Sequence, residues 1–71
     1  DKVDIAFLDP PYSDGLLEQA LPMVVDVMRK SGIIICESPL HENLPDRVGD
    51  FALKNVKKYG KIKVTTYMCN D

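Results

Sequence analysis

The sequence lacks the features of several protein classes. No apolar run approaches the roughly 20 residues of a membrane-spanning helix, and no basic-then-apolar segment begins the chain, so we expect a cytoplasmic protein without membrane contact. The two cysteines, Cys36 and Cys69, show no CxxC spacing and no neighbouring histidine. The single histidine, His41, has no acid or thiol spaced for ligation or a catalytic triad. We therefore expect buried, reduced thiols, a solvated His41 and no bound metal.

The length and charge of the chain limit its organisation. Its 71 residues can form one domain at most, and 45% hydrophobic with 28% charged residues is typical of a globular protein rather than a disordered one. The net charge of −2 argues against a surface that is basic throughout. However, the C-terminal third is locally basic, because from Phe51 onward Asp71 is the only acid. The lysines of this region are Lys54, Lys57, Lys58, Lys61 and Lys63.

The first half of the chain has the pattern of a βαβ unit. Residues 3–8, VDIAFL, and residues 32–38, GIIICES, are apolar with little alternation, which is typical of parallel strands covered on both faces. Residues 13–31 between them predict a helix that ends at Gly32, with a kink at Pro22. The expected apolar stripe of this helix is Leu17, Leu21, Val24 and Met28, widened by Leu16, Ala20, Met23 and Val27.

The second half predicts a loop followed by a hairpin. Residues 39–50 contain two prolines and little periodicity, so we expect a loop with one helical turn at most. Residues 51–70 indicate two antiparallel strands that reverse at Tyr59 and Gly60, at the edge of the sheet. We expect Tyr59 and Tyr67 to be packing residues. One helix cannot cover both faces of such a sheet, so the pattern indicates part of a larger doubly wound α/β domain.

Two acids follow the predicted parallel strands. Asp9 comes after the first strand and Glu37 lies at the end of the second, and ligands of open α/β sheets bind at the carboxyl ends of the strands. The segment Asp9-Pro10-Pro11-Tyr12 is also rigid, because proline fixes φ and lacks an amide hydrogen. Its rigidity would aim the flanking acid and aromatic ring at a common point.

The string LDPPY after a buried strand resembles the (Asp/Asn/Ser)-Pro-Pro-(Tyr/Phe) motif of S-adenosylmethionine-dependent methyltransferases that act on the exocyclic amines of bases. Together with GLLEQAL, GIIICE and KKYGKIKVTTY, it is similar to the C-terminal half of the ribosomal RNA small-subunit guanine-N2 methyltransferase D family. The resemblance implies a partial Rossmann-like class I methyltransferase fold, a three-layer sandwich when complete. Residues 1–71 would be the C-terminal portion of a single methyltransferase domain.

The resemblance also implies roles for individual residues. Asp9 and Pro10 would orient the target amine as catalytic residues, and substrate binding would fall to Pro11, Tyr12 and Glu37. Lys54, Lys57 and Lys58 would contact phosphates of small-subunit rRNA. The family's main S-adenosylmethionine-binding motif has no counterpart in the chain, so we expect the isolated chain to be inactive. An unpaired apolar edge at residues 3–8 would favour its self-association.

Other interpretations remain open at this point. Adenine-N6 methyltransferases carry the same motif. A phosphoacceptor signalling domain also has a buried strand that ends in Asp, although it needs a lysine where this chain has Glu37. An interaction module that uses the basic hairpin would leave the Pro-Pro segment unexplained. Glu37 could instead cap its strand in solvent, and the lysines could form a solvated face.

Overall fold

The computed structural model describes residues 2–8 and 16–69, which form a five-stranded sheet with one helix. The elements in chain order are β1 (Val3–Leu8), α1 (Leu16–Asp26), β2 (Met28–Pro39), β3 (Arg47–Val48), β4 (Phe51–Tyr59) and β5 (Ile62–Cys69). The strand order is β1-β2-β5-β4-β3. β1 is parallel to β2, and the other neighbours are antiparallel. The α/β class, the βαβ unit and the hairpin are confirmed, and β3 is an additional short strand within the expected loop.

The helix ends earlier than the sequence predicts. It stops at Asp26, and β2 begins at Met28 rather than at Gly32. The chain's own first strand explains the difference, because the Val3 amide donates to the Val27 carbonyl at 2.8 Å and Val3 pairs with Met28. These sheet contacts compete with continuation of the helix. The start of β2 is irregular, because the register shifts before Ile5 reaches its partner Ile33.

Glycine is required within this irregular start of β2. A Cβ atom on Gly32 would lie 2.6 Å from the Asp4 carbonyl oxygen and 2.6 Å from the end of the Met28 side chain. The same region carries an exposed ion pair between Arg29 Nε and Asp4 Oδ1 at 2.9 Å. Arg29 therefore belongs to β2 and lies beside β1. The Lys2 ammonium group donates to the Asp26 carbonyl at 3.3 Å, a favourable position for a cation at a helix C-terminus.

The core lies between α1 and one face of the sheet, which we call the helix face. Leu17 and Leu21 of the predicted stripe are buried there, and Met28 joins them from β2. Met23 and Val27 do not widen the stripe, since they are 73% and 46% exposed. The other buried apolar residues are Ile34, Cys36, Val48, Phe51 and Tyr67. No helix in the described part of the chain is long and apolar enough to cross a membrane.

The other side of the sheet, which we call the open face, has no helix of the described residues across it. Side chains alternate along a strand, so Ile5 and Phe7 lie on this face while Ala6 and Leu8 pack toward the core. Ile5 is 65% exposed and Phe7 is 56% exposed. As expected for a sheet with one helix, the described residues cover β1 on one face only. β1 is also at one end of the strand order.

Candidate active site

Three chain segments meet at one edge of the sheet, which we call the carboxyl edge. β1 ends there at Leu8 and β2 ends at Pro39. Pro39 pairs with Ile62, and Ile62 pairs with Tyr59, so the turn between β4 and β5 lies at the same edge. Ligands of open α/β sheets bind at this type of edge. The hairpin of β4 and β5 therefore turns beside the carboxyl ends of β1 and β2.

The predicted motif Asp9, Pro10, Pro11 and Tyr12 lies outside the described residues. In the sequence it follows Leu8 directly, and Leu8 pairs with Cys36. The structure therefore shows where the strand before the motif ends. The roles of these four residues stay predictions.

Glu37 is the first residue of β2 beyond its ladder with β1. Its neighbour Cys36 pairs with Leu8, the last residue of β1, whereas Glu37 pairs only across to Val64 of β5. Paired residues share a face, so Glu37 lies on the open face in one row with Val64 and Lys57. Its side chain is half-buried. A carboxylate at this position accepts hydrogen bonds and donates none while it is ionised.

The predicted lysine cluster divides between the two faces. Lys57 pairs with Val64 and lies on the open face, whereas Lys58 pairs with Lys63 on the helix face. The Lys63 ammonium group donates to the Glu42 carbonyl, which commits this lysine to the loop after β2. Lys54 lies at an irregularity of β4 between Leu53 and Asn55, nearer the middle of the strand. Lys57 and Lys58 are thus close to the carboxyl edge, and Lys54 is not.

The two tyrosines of the hairpin have different environments. Tyr67 is fully buried, as expected of a packing residue, and its hydroxyl donates to the Pro45 carbonyl at 2.6 Å. Burial is the main cause that raises the pKa of Tyr67 above its ordinary value, and nearby Cys36 adds to the effect. Tyr59 is 55% exposed, so its expected packing role is wrong. The adjacent Gly60 was the one local signal, because residues beside a hairpin turn are often exposed.

The loop at residues 40–46 is held against the hairpin by hydrogen bonds. The Leu53 amide donates to the Asp46 carbonyl at 2.8 Å, and the Leu40 amide donates to the Lys61 carbonyl at 3.3 Å. These bonds add to those made by Lys63 and Tyr67. The loop thus connects the carboxyl edge to β3 without a helix, and it fixes the position of the hairpin turn.

The Cys36 thiol is not a nucleophile near neutral pH. Cys36 is buried, and desolvation raises the pKa of its thiol from 9.0 to about 12, so it stays protonated near neutral pH. Cys69 is partly buried, and both cysteines are free. Within residues 2–8 and 16–69, no group of three or more metal-ligating side chains comes together. Among the described residues, the carboxyl edge therefore offers a hydrogen-bond acceptor, Glu37, near the cations Lys57 and Lys58.

A cavity of about 690 Å³ lies at the opposite edge of the sheet. Its lining includes Lys2, Asp26, Arg29 and Asp50, together with the start of β4. These residues surround the amino ends of β1 and β2, far along the strands from Glu37. Because ligands of such sheets bind at carboxyl ends, we assign the candidate site to the carboxyl edge and not to this cavity.

Comparisons with known proteins show the family to which the chain belongs. The family model described as Conserved hypothetical protein 95 matches residues 1–68. The chain belongs to this family. Membership in the Conserved hypothetical protein 95 family confirms the predicted family resemblance, and it rules against the phosphoacceptor alternative.

Individual relatives of this Conserved hypothetical protein 95 member are described as methyltransferases. The chain is 32% identical over 63 residues to "Putative rRNA methyltransferase YlbH" of Bacillus subtilis, covering 86% of the chain and 34% of that protein. It is 28% identical to "Putative methyltransferase yhhF" of Escherichia coli, with a TM-score of 0.74 over 93% of the chain and 38% of the other.

Two further solved structures share the fold. A conserved hypothetical protein of Streptococcus pyogenes is 25% identical, with a TM-score of 0.87 over 97% of the chain and 44% of the other. The "putative methylase HI0767" of Haemophilus influenzae is 24% identical, with a TM-score of 0.78 over 96% of the chain and 43% of the other, and supports the fold alone. The chain spans less than half the length of each relative. Its predicted class, a partial methyltransferase-like α/β fold, is confirmed.

The described residues of this family member do not form a cradle for S-adenosylmethionine, the cofactor that the family resemblance implies. A Gly-rich turn after a strand would be needed to bring backbone amides close to the nucleoside. Gly49 and Gly60 adopt positive φ, but each occupies a two-residue hairpin turn. Gly32 is packed against the Asp4 carbonyl.

Proposed function

We propose that residues 1–71 are the C-terminal portion of a single S-adenosylmethionine-dependent methyltransferase domain that methylates the N2 amine of a guanine in small-subunit rRNA. We call the protein that contains this whole domain the complete enzyme. The carrying observation is the position of the carboxyl edge, where the strand before the Asp-Pro-Pro-Tyr motif ends beside Glu37 and the basic hairpin turn. The family and its relative described as an rRNA methyltransferase support the choice of substrate. A cytoplasmic location follows from an rRNA substrate.

The proposed role of Asp9 and Pro10 is to orient the target amine. An exocyclic amine of a base is a poor nucleophile, because its lone pair is delocalised into the ring. Hydrogen-bond acceptors that hold its two hydrogens favour tetrahedral geometry at the nitrogen. The Asp9 carboxylate and the Pro10 carbonyl are acceptors of this kind. The fixed φ of consecutive prolines reduces the freedom of these groups, which favours the pre-orientation that accelerates bimolecular transfer.

The proposed roles of Pro11, Tyr12 and Glu37 are to hold the target base. A base must leave its helix or loop to reach an enzyme site, and aromatic stacking stabilises it there. Tyr12 would supply the ring, and Pro11 would fix its direction. The Watson–Crick edge of guanine presents two donors side by side, its N1–H and its N2 amine, whereas adenine presents one donor and one acceptor. The Glu37 carboxylate is an acceptor only, so it would accept from the guanine N1–H, and this favours guanine over adenine, whose N1 is itself an acceptor.

The lysines near the carboxyl edge would contact RNA phosphates. Lys57 and Lys58 lie on opposite faces close to the hairpin turn, so they would contact different parts of the RNA backbone. Lys54, which lies nearer the middle of β4, would contribute only to a more extended contact. Each phosphate contact raises the salt sensitivity of RNA binding.

Identification of the methylated nucleoside tests this function. The complete enzyme would be incubated with tritiated S-adenosylmethionine and unmodified small-subunit rRNA, and the RNA would be digested to nucleosides and separated by chromatography. We expect label in N2-methylguanosine, and Glu37→Gln should reduce its yield, because the amide presents a donor as well as an acceptor. Asp50→Asn, at the opposite edge of the sheet, is the matched control and should leave the yield unchanged. Label in N6-methyladenosine would support the adenine enzyme instead, and absence of label in RNA would contradict the proposal.

A further inference from the structure

Tyr59 occupies an unusual position for an aromatic residue of a small sheet. It is the last residue of β4, it lies at the carboxyl edge, and more than half of its surface is exposed. It shares the outermost row of the open face with Ile62 of β5 and Pro39 of β2. Ile62 is half-buried and Pro39 is exposed. The ring therefore stands at the end of a short apolar row, next to solvent.

The backbone that carries this ring is fixed. Gly60 has a φ of 59°, and with Lys61 it forms a two-residue turn with glycine in the first position, as a type II′ hairpin turn requires. The Leu40 amide, at the end of β2, donates to the Lys61 carbonyl at 3.3 Å. A tyrosine has only two side-chain torsions, so contact with its ring costs little conformational entropy. The turn thus holds the backbone that carries an exposed ring.

The charges around Tyr59 are positive. Lys57 lies on the same face two residues earlier, about 6.6 Å away along the strand by ordinary strand geometry. Lys58 and Lys61 are the next cations along the chain, and all three lysines are exposed. Across residues 2–8 and 16–69, the ammonium groups of Lys57, Lys58 and Lys61 make no hydrogen bond or ion pair. Lys63, by contrast, is bound to the Glu42 carbonyl.

An exposed aromatic ring within a group of unengaged lysines has the chemistry of a binding site for single-stranded nucleic acid. Such sites combine base stacking with cations that follow the phosphate backbone. We propose that Tyr59 stacks on an unpaired base of the substrate RNA that flanks the target nucleotide, while Lys57 and Lys61 contact its phosphates. This inference rests on the proposed function, because the RNA must enter at the carboxyl edge. It adds a second stacking residue, on the hairpin, to the site.

RNA binding by matched variants of the complete enzyme tests this role. The probe is a fluorescein-labelled single-stranded RNA 12-mer with one central guanine, measured by anisotropy at several salt concentrations, with a duplex of the same sequence alongside. Tyr59→Ala should raise the Kd for the single strand about 5- to 150-fold, the equivalent of one lost stack. Tyr59→Phe should stay within about twofold of the wild type, because stacking needs the ring and not the hydroxyl. The salt slope should not change in either variant.

Two control variants separate stacking from charge and from general loss of apolar surface. Lys57→Gln should lower the salt slope by about one, with a change in Kd that vanishes at high salt. Met23→Ala removes a similarly exposed apolar side chain from α1, on the other side of the molecule, and should leave the Kd unchanged. Urea unfolding of each variant reports whether the fold is intact.

Each result decides the proposal. A Kd of Tyr59→Ala within twofold of the wild type would overturn it, and so would an equal loss for the duplex. A large loss of unfolding free energy in Tyr59→Ala would also overturn it, because Tyr59 would then be a packing residue of the complete enzyme. If the wild type methylates rRNA and Tyr59→Ala binds normally, only this inference fails. If the wild type neither binds nor methylates RNA, the proposed function fails as well.

Discussion

The two faces of the sheet differ in how far their apolar side chains are buried. On the helix face, Leu17, Leu21 and Tyr67 are almost completely removed from solvent. On the open face, Ile5 and Phe7 expose more than half of their surface although they lie in a β-branched, apolar strand. β1 therefore packs into the buried core on one side of the sheet and leaves an uncovered apolar surface on the other. The relatives, each more than twice as long as the chain, have additional chain that could cover such a surface.

The helix face carries the contacts that stabilise the fold, whereas the open face carries the candidate site. The helix face holds α1, the loop at residues 40–46 and the hairpin together by apolar contacts and by the Tyr67 hydroxyl. The open face carries Glu37, Lys57 and Tyr59 at its carboxyl edge, with side chains that are half-buried or exposed. We therefore expect substitutions on the helix face to change unfolding, and substitutions at the carboxyl edge of the open face to change RNA binding and methylation.

The largest expected effect on stability is at the centre of the helix face. Leu21→Ala should lower the unfolding free energy of the complete enzyme by about 2–5 kcal/mol, because it leaves a cavity in a fully buried position. Met23→Ala in the same helix should change it by less than about 0.5 kcal/mol, because Met23 is exposed. Urea unfolding followed by circular dichroism measures both. Equal losses in the two variants would mean that the helix packs by a different face.

A smaller effect is expected on the open face of the isolated 71-residue chain. Its uncovered apolar surface and the edge position of β1 should cause self-association. Ile5→Ser combined with Phe7→Ser should weaken this association about tenfold or more in sedimentation equilibrium, since two large apolar side chains leave the surface. Met23→Ser, a polar substitution outside the open face, should leave it unchanged. A wild-type chain that stays monomeric would contradict this account of the open face.

A last effect on the helix face appears only at high pH. Burial raises the pKa of Cys36 to about 12 from 9.0, and it raises the pKa of Tyr67 as well. The folded state then holds these protons more tightly than the unfolded state. The contribution of Cys36 is complete below about pH 9 and is lost as the pH rises toward 12, and that of Tyr67 declines above about pH 10. Urea unfolding between pH 7 and 11 should show this decline. Cys36→Ala should make the decline shallower, and an identical pH dependence in this variant would contradict the assignment to Cys36.

Local sequence patterns predicted the elements whose structure is decided locally. The Ile33-Ile34-Ile35 run predicted β2, because a β-branched run favours a strand. Gly60 predicted the turn of the hairpin, because glycine readily adopts the positive φ that a tight turn needs. The helix end was mispredicted, because Met28 fits the helical stripe equally well. Its pairing with Val3 involves residues 25 positions apart, which periodicity cannot detect.

The candidate site, like the fold, could be predicted only where the local sequence decides it. Glu37 could be assigned from its place at a strand end, and it does lie just beyond the β1–β2 ladder. Lys57 and Lys58 lie on opposite faces because side chains alternate along a strand, and the pairing register of β4 decides which face each one occupies. That register is altered by the irregularity between Leu53 and Asn55, which has no signature in the sequence. Gly60 was a local signal for the exposure of Tyr59, but the face on which Tyr59 lies depends on the same register.

Single-turnover methylation by Asp9→Ala tests the central claim that the carboxyl edge is the site of methyl transfer. With the complete enzyme in excess over rRNA and at saturating S-adenosylmethionine, we expect the rate of transfer to fall about 10- to 100-fold, as expected for loss of a charge-assisted hydrogen bond that strengthens toward the transition state. RNA affinity should change by less than about threefold. Asp50→Ala, at the opposite edge of the sheet, should match the wild type. An unchanged transfer rate in Asp9→Ala would contradict the account.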